Sequence, residues 1–238
     1  DKFLFMSSTI LDKDSYCSDL GINPDETAFI SIPSEFPVDN RPVIYMPIIK
    51  MTYGWDADTP IQRAERKKMI ERLSKICKEV HPDESGVIHA GSFQVAKWLV
   101  QELSGKVPHQ IMHHNPESGY TRDQVINDFQ IDDGIPKLLI SPSVTEGLDL
   151  KGDKGRFAVF AKVPYPYLGD AWVKKRMSLS NTWYMIQALI AIIQGAGRVV
   201  RSPDDWGNVY ILDTAWDNLY RRAKYLIPKW WREAYTEM

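Results

Sequence analysis

The stretch IIQGAGRVVRSPDDWGNVYILD, residues 192–213, is predicted to join the end of an apolar helix to a buried β-strand. Four residues interrupt its apolar pattern at positions i, i+3, i+4 and i+7: Gln194, Gly197, Arg198 and Arg201. On an α-helix this spacing forms one stripe on one face. Two guanidinium groups one turn apart, beside a glycine that allows close approach, suit a multiply charged oxyanion such as a triphosphate. A solvated face near the negative end of the helix dipole accounts for the same pattern.

The helix that carries this stripe is predicted to begin beside Ser180 or Asn181 and to extend to Ser202. Serine and asparagine are favoured N-cap residues, and Pro203 disfavours continuation of the helix. The rest of the helix is apolar, so the stripe is the face left for solvent or a ligand.

The composition of the 238 residues indicates a globular protein, since 44% are hydrophobic. The two cysteines, Cys17 and Cys77, exclude a disulfide framework and a four-cysteine metal site, and we expect no bound metal in this chain. The sequence contains no apolar run of membrane-spanning length and no recognisable signal peptide. We therefore expect a cytoplasmic protein without membrane contact, or a nuclear one if the source is eukaryotic.

The charge pattern does not by itself identify a partner. The formal net charge is −2, whereas a nucleic-acid-binding domain is usually basic. Basic clusters occur at residues 63–72, 174–176 and 221–232, and the last is interleaved with aromatic residues. Each cluster is interpreted first as a solvated helix face, although aromatic rings beside cations also suit a single strand.

Strands and helices alternate along the chain. Six short apolar runs are predicted as strands: VIYMPI, GVIHAG, HQIMHH, KLLIS, RFAVFAKV and VYILD. Further helices are predicted at residues 15–23, 59–80, 92–103 and 121–129. Strands that are apolar on both faces favour a mostly parallel α/β sheet with helices on both faces. Such sheets bind ligands at the carboxyl ends of their strands.

The first residues are predicted to form a further buried strand, over residues 2–8, in a sheet built mostly by residues that are not in this sequence. No initiator methionine precedes it, so we expect the chain to be a piece of a longer protein. The proline-rich stretch SIPSEFPVDNRPV, which begins at Ser31, is a candidate connector. We therefore predict two parts, the end of one domain with a linker at residues 1–40 and a second domain at residues 41–238.

The loop after KLLIS is crowded with polar residues, at the edge where this architecture places a site. These are Thr145, Glu146, Gly147 and Asp149. A hydroxyl, two carboxylates and a glycine suit contacts to a ribose, a base or a nucleic-acid backbone. Taken alone, the loop is better explained as a polar turn.

Four segments in order resemble helicase motifs V and VI of the XPD and DinG family of superfamily 2 helicases: TEGLD, GDKGR, VPYP and QGAGRVVRSPDDWGNVYILD. In addition, MSSTI resembles motif III, VIHAGSF motif IV, and LIPKWWR the end of the family's domain. His89 and Ala90 depart from the pattern, because motif IV usually has aromatic residues there. The resemblance covers essentially the whole chain.

The resemblance implies a RecA-like sheet that forms the second motor domain of a P-loop NTPase-like helicase. Arg198 and Arg201 would be arginine fingers directed at the γ-phosphate of ATP, and Gln194 would sense the same phosphate. The nucleotide side of the cleft would be lined by Glu146, Gly147, Asp149 and Gly197. The DNA contacts would come from Gly91, Ser92, Phe93 and Thr145. The coupling role of motif III would fall to Ser7 and Thr9.

The resemblance also implies partners and cofactors. They are single-stranded DNA, translocated 5′ to 3′, and the N-terminal helicase domain of the same protein, in a monomer. That other domain would hold most of the ATP and Mg²⁺, because this sequence lacks a G-x-x-x-x-G-K-S/T loop. An iron–sulfur cluster, where the family has one, would also belong to it. We therefore expect ATP hydrolysis from the full-length enzyme and almost none from this chain alone. His113 and His114 are interpreted as surface residues rather than metal ligands.

Two other functions are compatible with an α/β sheet. A catalytically inactive RecA-like module would act as a nucleic-acid clamp or scaffold. The presence of both Arg198 and Arg201 argues against it, and a phosphate-binding lysine loop in the parent protein would decide the question. A dinucleotide-dependent oxidoreductase is disfavoured, because GAGRVV lacks the third glycine of that fingerprint and lies at the end of a helix.

Overall fold

The computed structural model describes residues 2–114, 119–143, 150 and 152–238. Within these residues seven strands form one sheet: β1 (Val43–Ile49), β2 (Gly86–His89), β3 (Gln110–His113), β4 (Lys137–Ser141), β5 (Phe157–Phe160), β6 (Asn208–Asp213) and β7 (Tyr235–Glu237). The α-helices described are α1 (Lys13–Leu20), α2 (Pro60–Lys75), α3 (Phe93–Leu103), α4 (Arg122–Phe129), α5 (Ala171–Leu179), α6 (Asn181–Ala196), α7 (Ala215–Ala223) and α8 (Lys229–Glu233). A π-helical turn, Ile76–Val80, continues α2.

The strands all pair in parallel, in the order β3-β4-β2-β5-β6-β1-β7. Alternate residues of each strand face opposite sides of the sheet. In β5, Phe157 and Val159 pack with α2 and α3, whereas Ala158 and Phe160 pack with α4, α6 and α7. The predicted parallel sheet with helices on both faces is therefore confirmed.

Side-chain caps start α2, α3, α4 and α6 where the sequence places them, whereas the helix predicted at residues 15–23 begins earlier, at Lys13, with Asp12 as its cap. The hydroxyl of Thr59 accepts the Gln62 N–H at 3.2 Å, and Pro60 occupies the first position of α2. Ser180, rather than Asn181, caps α6 by accepting the Trp183 N–H at 3.1 Å. Local capping chemistry thus sets the starts of these helices.

Residues 2–8 belong to no strand of the seven-stranded sheet, and Phe3, Leu4 and Met6 are each 80–82% exposed. The predicted strand was expected in a different sheet, formed mostly by other residues of a longer protein, so it stays a prediction. The division of the chain at residue 40 remains a prediction.

The sequence analysis missed several short elements. They are β7, which pairs with β1 at the sheet edge, and the helices α5, α7 and α8. Their apolar positions are few, so their burial depends on the sheet against which they pack. No helix in the described ranges has the length and apolar character needed to cross a lipid bilayer.

Candidate functional site

The carboxyl end of β2 leads into a turn that carries two predicted site residues. Gly91 has φ +68°, and a Cβ there would lie 3.0–3.1 Å from the side-chain carbons of Lys162. Glycine satisfies both constraints. Ser92 caps α3, because its hydroxyl accepts the Val95 N–H at 3.3 Å. The hydroxyl hydrogen of Ser92 is still able to donate to a ligand oxygen.

A groove of 220 Å³ lies beside this turn, and we call it the serine groove. It is lined by Ser92, Phe93, His114, Arg122, Ser141, Pro142 and Ser143. Phe93 is 51% exposed, and its ring meets the His114 ring edge to face with centroids 5.8 Å apart. Hydroxyl groups, a guanidinium group and an exposed ring together suit a phosphate and a stacked base.

Arg122 is a lining residue that the sequence analysis missed. It is the first residue of α4, whose start is fixed by a capping box between Thr121 and Gln124. That capping box was the available signal, since it identifies a helix start on the loop side of β3. His113 and His114 are half-buried, and no group of three or more metal-ligating side chains occurs in the described part of the chain.

The predicted residues Ser7, Thr9 and Gln194 meet at the end of α6. The Gln194 side-chain amide donates to the Thr9 hydroxyl at 2.9 Å. Thr9 is 5% exposed, and its backbone N–H donates to the Ser7 hydroxyl at 3.3 Å. A hydrogen bond thus joins Gln194, in the segment that resembles motif VI, directly to Thr9, in the segment that resembles motif III.

The predicted helical stripe needs correction, because α6 ends at Ala196 rather than near Ser202. Gly197 follows the helix with φ −70° and ψ 0°, and the Arg198 N–H donates to the Gly195 carbonyl in a tightened last turn. Glycines at 195 and 197 favour the helix weakly. Gln194 therefore lies on the helix, whereas Arg198 and Arg201 lie on the turn that follows, residues 197–201, which we call the arginine turn.

The turn after α6 is anchored by a buried carboxylate. Asp205 accepts the Arg201 backbone N–H at 3.0 Å, the Trp206 N–H at 3.1 Å and the Arg156 guanidinium at 2.6 Å. The Arg156 guanidinium also lies 4.7 Å from the Trp206 ring centroid. Burial raises the pKa of Asp205, but the Arg201 and Arg156 hydrogen bonds outweigh it and the pKa is below its ordinary value.

The Arg156–Asp205 pair was not assigned a role from the sequence. The signal was present, because Arg156 closes the GDKGR segment and Asp205 lies between Arg201 and β6. The pair joins the residue before β5 to the turn after α6. It therefore holds the backbone of Arg201 in place, while the Arg201 side chain is exposed.

Arg198 is half-buried, and its charge acts on His89 at the end of β2. His89, the last residue of β2, is 2% exposed and stacks on Phe160 with centroids 4.6 Å apart. Burial, and then the Arg198 charge, lower the pKa of His89 to about 4. A Cβ at Gly195 would lie 2.8 Å from the Phe160 ring and 3.3 Å from His89 Nε2, so the absence of a side chain there lets both rings approach α6.

Asp213 braces the carboxyl edge of the sheet. This carboxylate is 1% exposed and accepts backbone N–H groups from Met51 at 3.0 Å, Val163 at 2.8 Å and Ala215 at 2.9 Å. Burial raises its pKa above the ordinary value, although the three hydrogen bonds act in the opposite direction. The chain just after the ends of β1, β5 and β6 is thereby connected.

The remaining predicted site residues lie outside the described residues. They are Thr145, Glu146, Gly147 and Asp149. Their assigned roles stay predictions.

Comparison with known proteins places this chain among helicases. A model of the helicase C-terminal domain matches residues 73–234. The chain is 32% identical to the regulator of telomere elongation helicase 1 homolog of Caenorhabditis elegans over 37% of its length. It is 28% identical to the Fanconi anemia group J protein homolog of Gallus gallus over 38% of its length. The chain spans only 10% and 8% of those two relatives.

A solved structure supports the same fold. The structure of S. tokodaii Xpd4 has a TM-score of 0.55 to this chain at 16% sequence identity. The likeness covers 83% of this chain and 38% of that chain. It shows the shared fold, a RecA-like parallel sheet with helices on both faces.

Proposed function

Since this chain belongs to the helicase C-terminal domain family of XPD- and DinG-like superfamily 2 helicases, we propose that it is the second motor half of an ATP-dependent DNA helicase. Arg198 and Arg201 act as arginine fingers toward ATP. The N-terminal helicase domain of the same protein holds most of the ATP and Mg²⁺, because this sequence has no P-loop. Glu146, Gly147, Asp149 and Gly197 complete the nucleotide side of the cleft.

One structural relationship supports the arginine fingers most directly: both ends of segment 194–201 are anchored. Gln194 bonds to Thr9 at one end, and the Arg201 backbone bonds to Asp205 at the other. Phosphoryl transfer places developing negative charge on the transferred group, and charges on a preorganised turn stabilise it without rearrangement. Arginine fingers contribute about 10³ to 10⁵ in rate in well-studied nucleotide hydrolases.

The serine groove binds single-stranded DNA in this proposal. The Ser92 hydroxyl and the backbone N–H groups around Gly91 donate to phosphodiester oxygens, and Phe93 stacks on a base. Thr145 adds a hydroxyl to the same contact. Phosphate contacts carry no sequence information, so translocation, proposed to run 5′ to 3′, tolerates any sequence.

The full-length parent protein tests the arginine assignment. We expect Arg198→Ala or Arg201→Ala to lower ATP turnover by about 10³-fold or more, with little change in the affinity for an oligothymidylate. Arg221→Ala, which removes an exposed arginine on α7, is the matched control and should leave turnover unchanged.

Two outcomes would contradict this assignment. Equal losses of ATP turnover and DNA affinity would indicate a role in DNA contact or folding. Unchanged turnover in both arginine variants would show that neither arginine acts on ATP, whereas an absence of turnover in the parent protein itself would favour an inactive binding module or scaffold. In a second test, robust ATP hydrolysis by the purified 238-residue chain would refute the idea that the chain is half of a motor.

A further inference from the structure

A second cavity, of 420 Å³, lies where α1, α5 and α6 meet, and we call it the tryptophan cavity. Its walls include Asp19, Pro166, Trp172, Arg176, Trp183 and Gln187. None of these residues belongs to the serine groove or to the arginine turn. The volume falls within the range of small-ligand sites, roughly 300–1,000 Å³.

The cavity is built around one guanidinium group and two indole rings. The guanidinium carbon of Arg176 lies 4.9 Å from the Trp183 ring centroid and 5.6 Å from that of Trp172. The two rings meet edge to face, with centroids 5.4 Å apart. Asp19 on α1 pairs with Arg176 and holds the guanidinium group in this position. The wall is therefore assembled before any ligand arrives.

The two rings differ in exposure. Trp183 is 6% exposed and anchors the cluster in the core, whereas Trp172 is 63% exposed. An exposed indole that is held by a cation and a second ring is a stacking surface fixed in orientation. It loses little side-chain freedom when a planar ring stacks on it.

One exposed lysine shares the helix face of the exposed ring. Lys175 lies three positions after Trp172 on α5, which makes the two side chains neighbours on the helix surface. The adjacent carboxylates are already engaged, because Asp170 accepts two backbone N–H groups at the start of α5 and Asp19 pairs with Arg176. A ligand with planar rings and negative charge fits this chemistry, and single-stranded nucleic acid has both.

The tryptophan cavity and the serine groove are built from segments that follow neighbouring strands. Pro166 lies in the loop after Phe160, the last residue of β5, and Ser92 follows His89, the last residue of β2. Phe160 and His89 are register partners in the parallel sheet. Both segments therefore leave the sheet at the same edge, its carboxyl edge.

We propose that the tryptophan cavity accepts an unpaired base of single-stranded DNA, which stacks on Trp172 while an adjacent phosphate lies beside Lys175. This rests on the proposed function, because it assumes that the chain binds a single strand at the serine groove. It adds a second stacking position to that bound strand.

Titration of the 238-residue chain with a labelled oligothymidylate of about 16 nucleotides, the upper end of common site sizes, tests this. Trp172→Ala should raise the Kd about 5- to 150-fold, the usual effect of removing one stacking ring. Trp172→Phe should retain most of the affinity. An abasic deoxyribose-phosphate oligomer of the same length should bind both the parent chain and Trp172→Ala equally, because it has no base to stack.

Tyr225→Ala is the matched control. Tyr225 is 70% exposed and lies beside Lys224, but it lines neither cavity. An equal loss from Tyr225→Ala, or parent-like binding by Trp172→Ala, would overturn the inference. If Phe93→Ala still weakens binding in that second case, the proposed function stands without it. Absence of oligothymidylate binding by the parent chain would overturn both.

Discussion

The side-chain amide of Gln194 donates a 2.9 Å hydrogen bond to the hydroxyl of Thr9, 185 residues earlier in the chain. Gln194 lies on the last turn of α6, directly before the two arginines. Thr9 is buried in an N-terminal segment whose preceding residues are exposed. The bond therefore fixes the start of the arginine turn to a part of the chain that belongs to no strand of the sheet.

Removal of this acceptor should cost stability. Thr9→Val keeps the shape of the side chain but leaves the Gln194 amide without the Thr9 oxygen. We expect the free energy of unfolding, from urea denaturation, to fall by about 1 kcal/mol. Thr9→Ser, which keeps the hydroxyl, should lose less. An unchanged urea midpoint for Thr9→Val would show that the bond contributes nothing in solution.

Gly195 and Gly197 should respond differently to alanine. A Cβ at 195 would lie 2.8 Å from the Phe160 ring, whereas one at 197 would lie 3.4 Å from the nearest atom, the Ile193 carbonyl oxygen. We expect Gly195→Ala to lower the free energy of unfolding by about 1–3 kcal/mol through overpacking, and Gly197→Ala to change it little. Thermal or urea unfolding of the two variants measures the difference. Equal losses would contradict the packing of β5 against α6.

His89 should make stability depend on pH. Histidine titrates near 6.5 when unfolded, and burial with the Arg198 charge lowers the pKa of His89 to about 4. Between these values the unfolded chain binds a proton that the folded chain does not. The contribution of neutral His89 to the free energy of unfolding is therefore fully present above pH 6.5. It declines as the pH falls toward 4, by about 3 kcal/mol in total.

His89→Phe is the variant that isolates this effect. It keeps the aromatic ring against Phe160 and removes the titrating group, so the difference in unfolding free energy between the two proteins should change across this pH window. Burial also lowers the pKa values of His81 and His109. Both proteins contain these two histidines, so their contribution cancels in the difference between the two unfolding free energies. Parallel pH profiles for the two proteins would contradict the burial of His89.

Arg156 contacts two aspartates that should differ in importance. The Asp205 side chain is 5% exposed and that of Asp153 is 97% exposed. Asp205→Ala removes the acceptor of the Arg201 and Trp206 N–H groups and one of the two carboxylate partners of Arg156, and we expect a loss of about 1–3 kcal/mol in unfolding free energy. Asp153→Ala removes a surface partner and should have little effect. Hydrogen exchange at the Arg201 amide should accelerate only in Asp205→Ala, and equal acceleration in both variants would contradict the anchoring role.

Local signals in the sequence identified most of the fold. Alternating apolar strands and helices predicted the parallel sheet, and Thr59, Ser92 and Thr121 marked helix starts that the structure has. Capping and hydrophobic periodicity involve residues a few positions apart, so a single segment contains the whole signal. The strand predicted at residues 2–8 is a different case, because strand pairing also requires a neighbouring strand, and it stays a prediction.

By itself, the sequence determined that this chain forms an α/β sheet, and the order of its motifs identified the family to which it belongs. Only the tertiary structure decided that the arginines leave the helix, and that Thr9 and Asp205 hold the two ends of their turn. The grouping of Trp172, Trp183 and Arg176 with Asp19 was decided there too. Each of these contacts joins segments that are far apart in the chain, so their geometry exists only after the sheet and helices have packed.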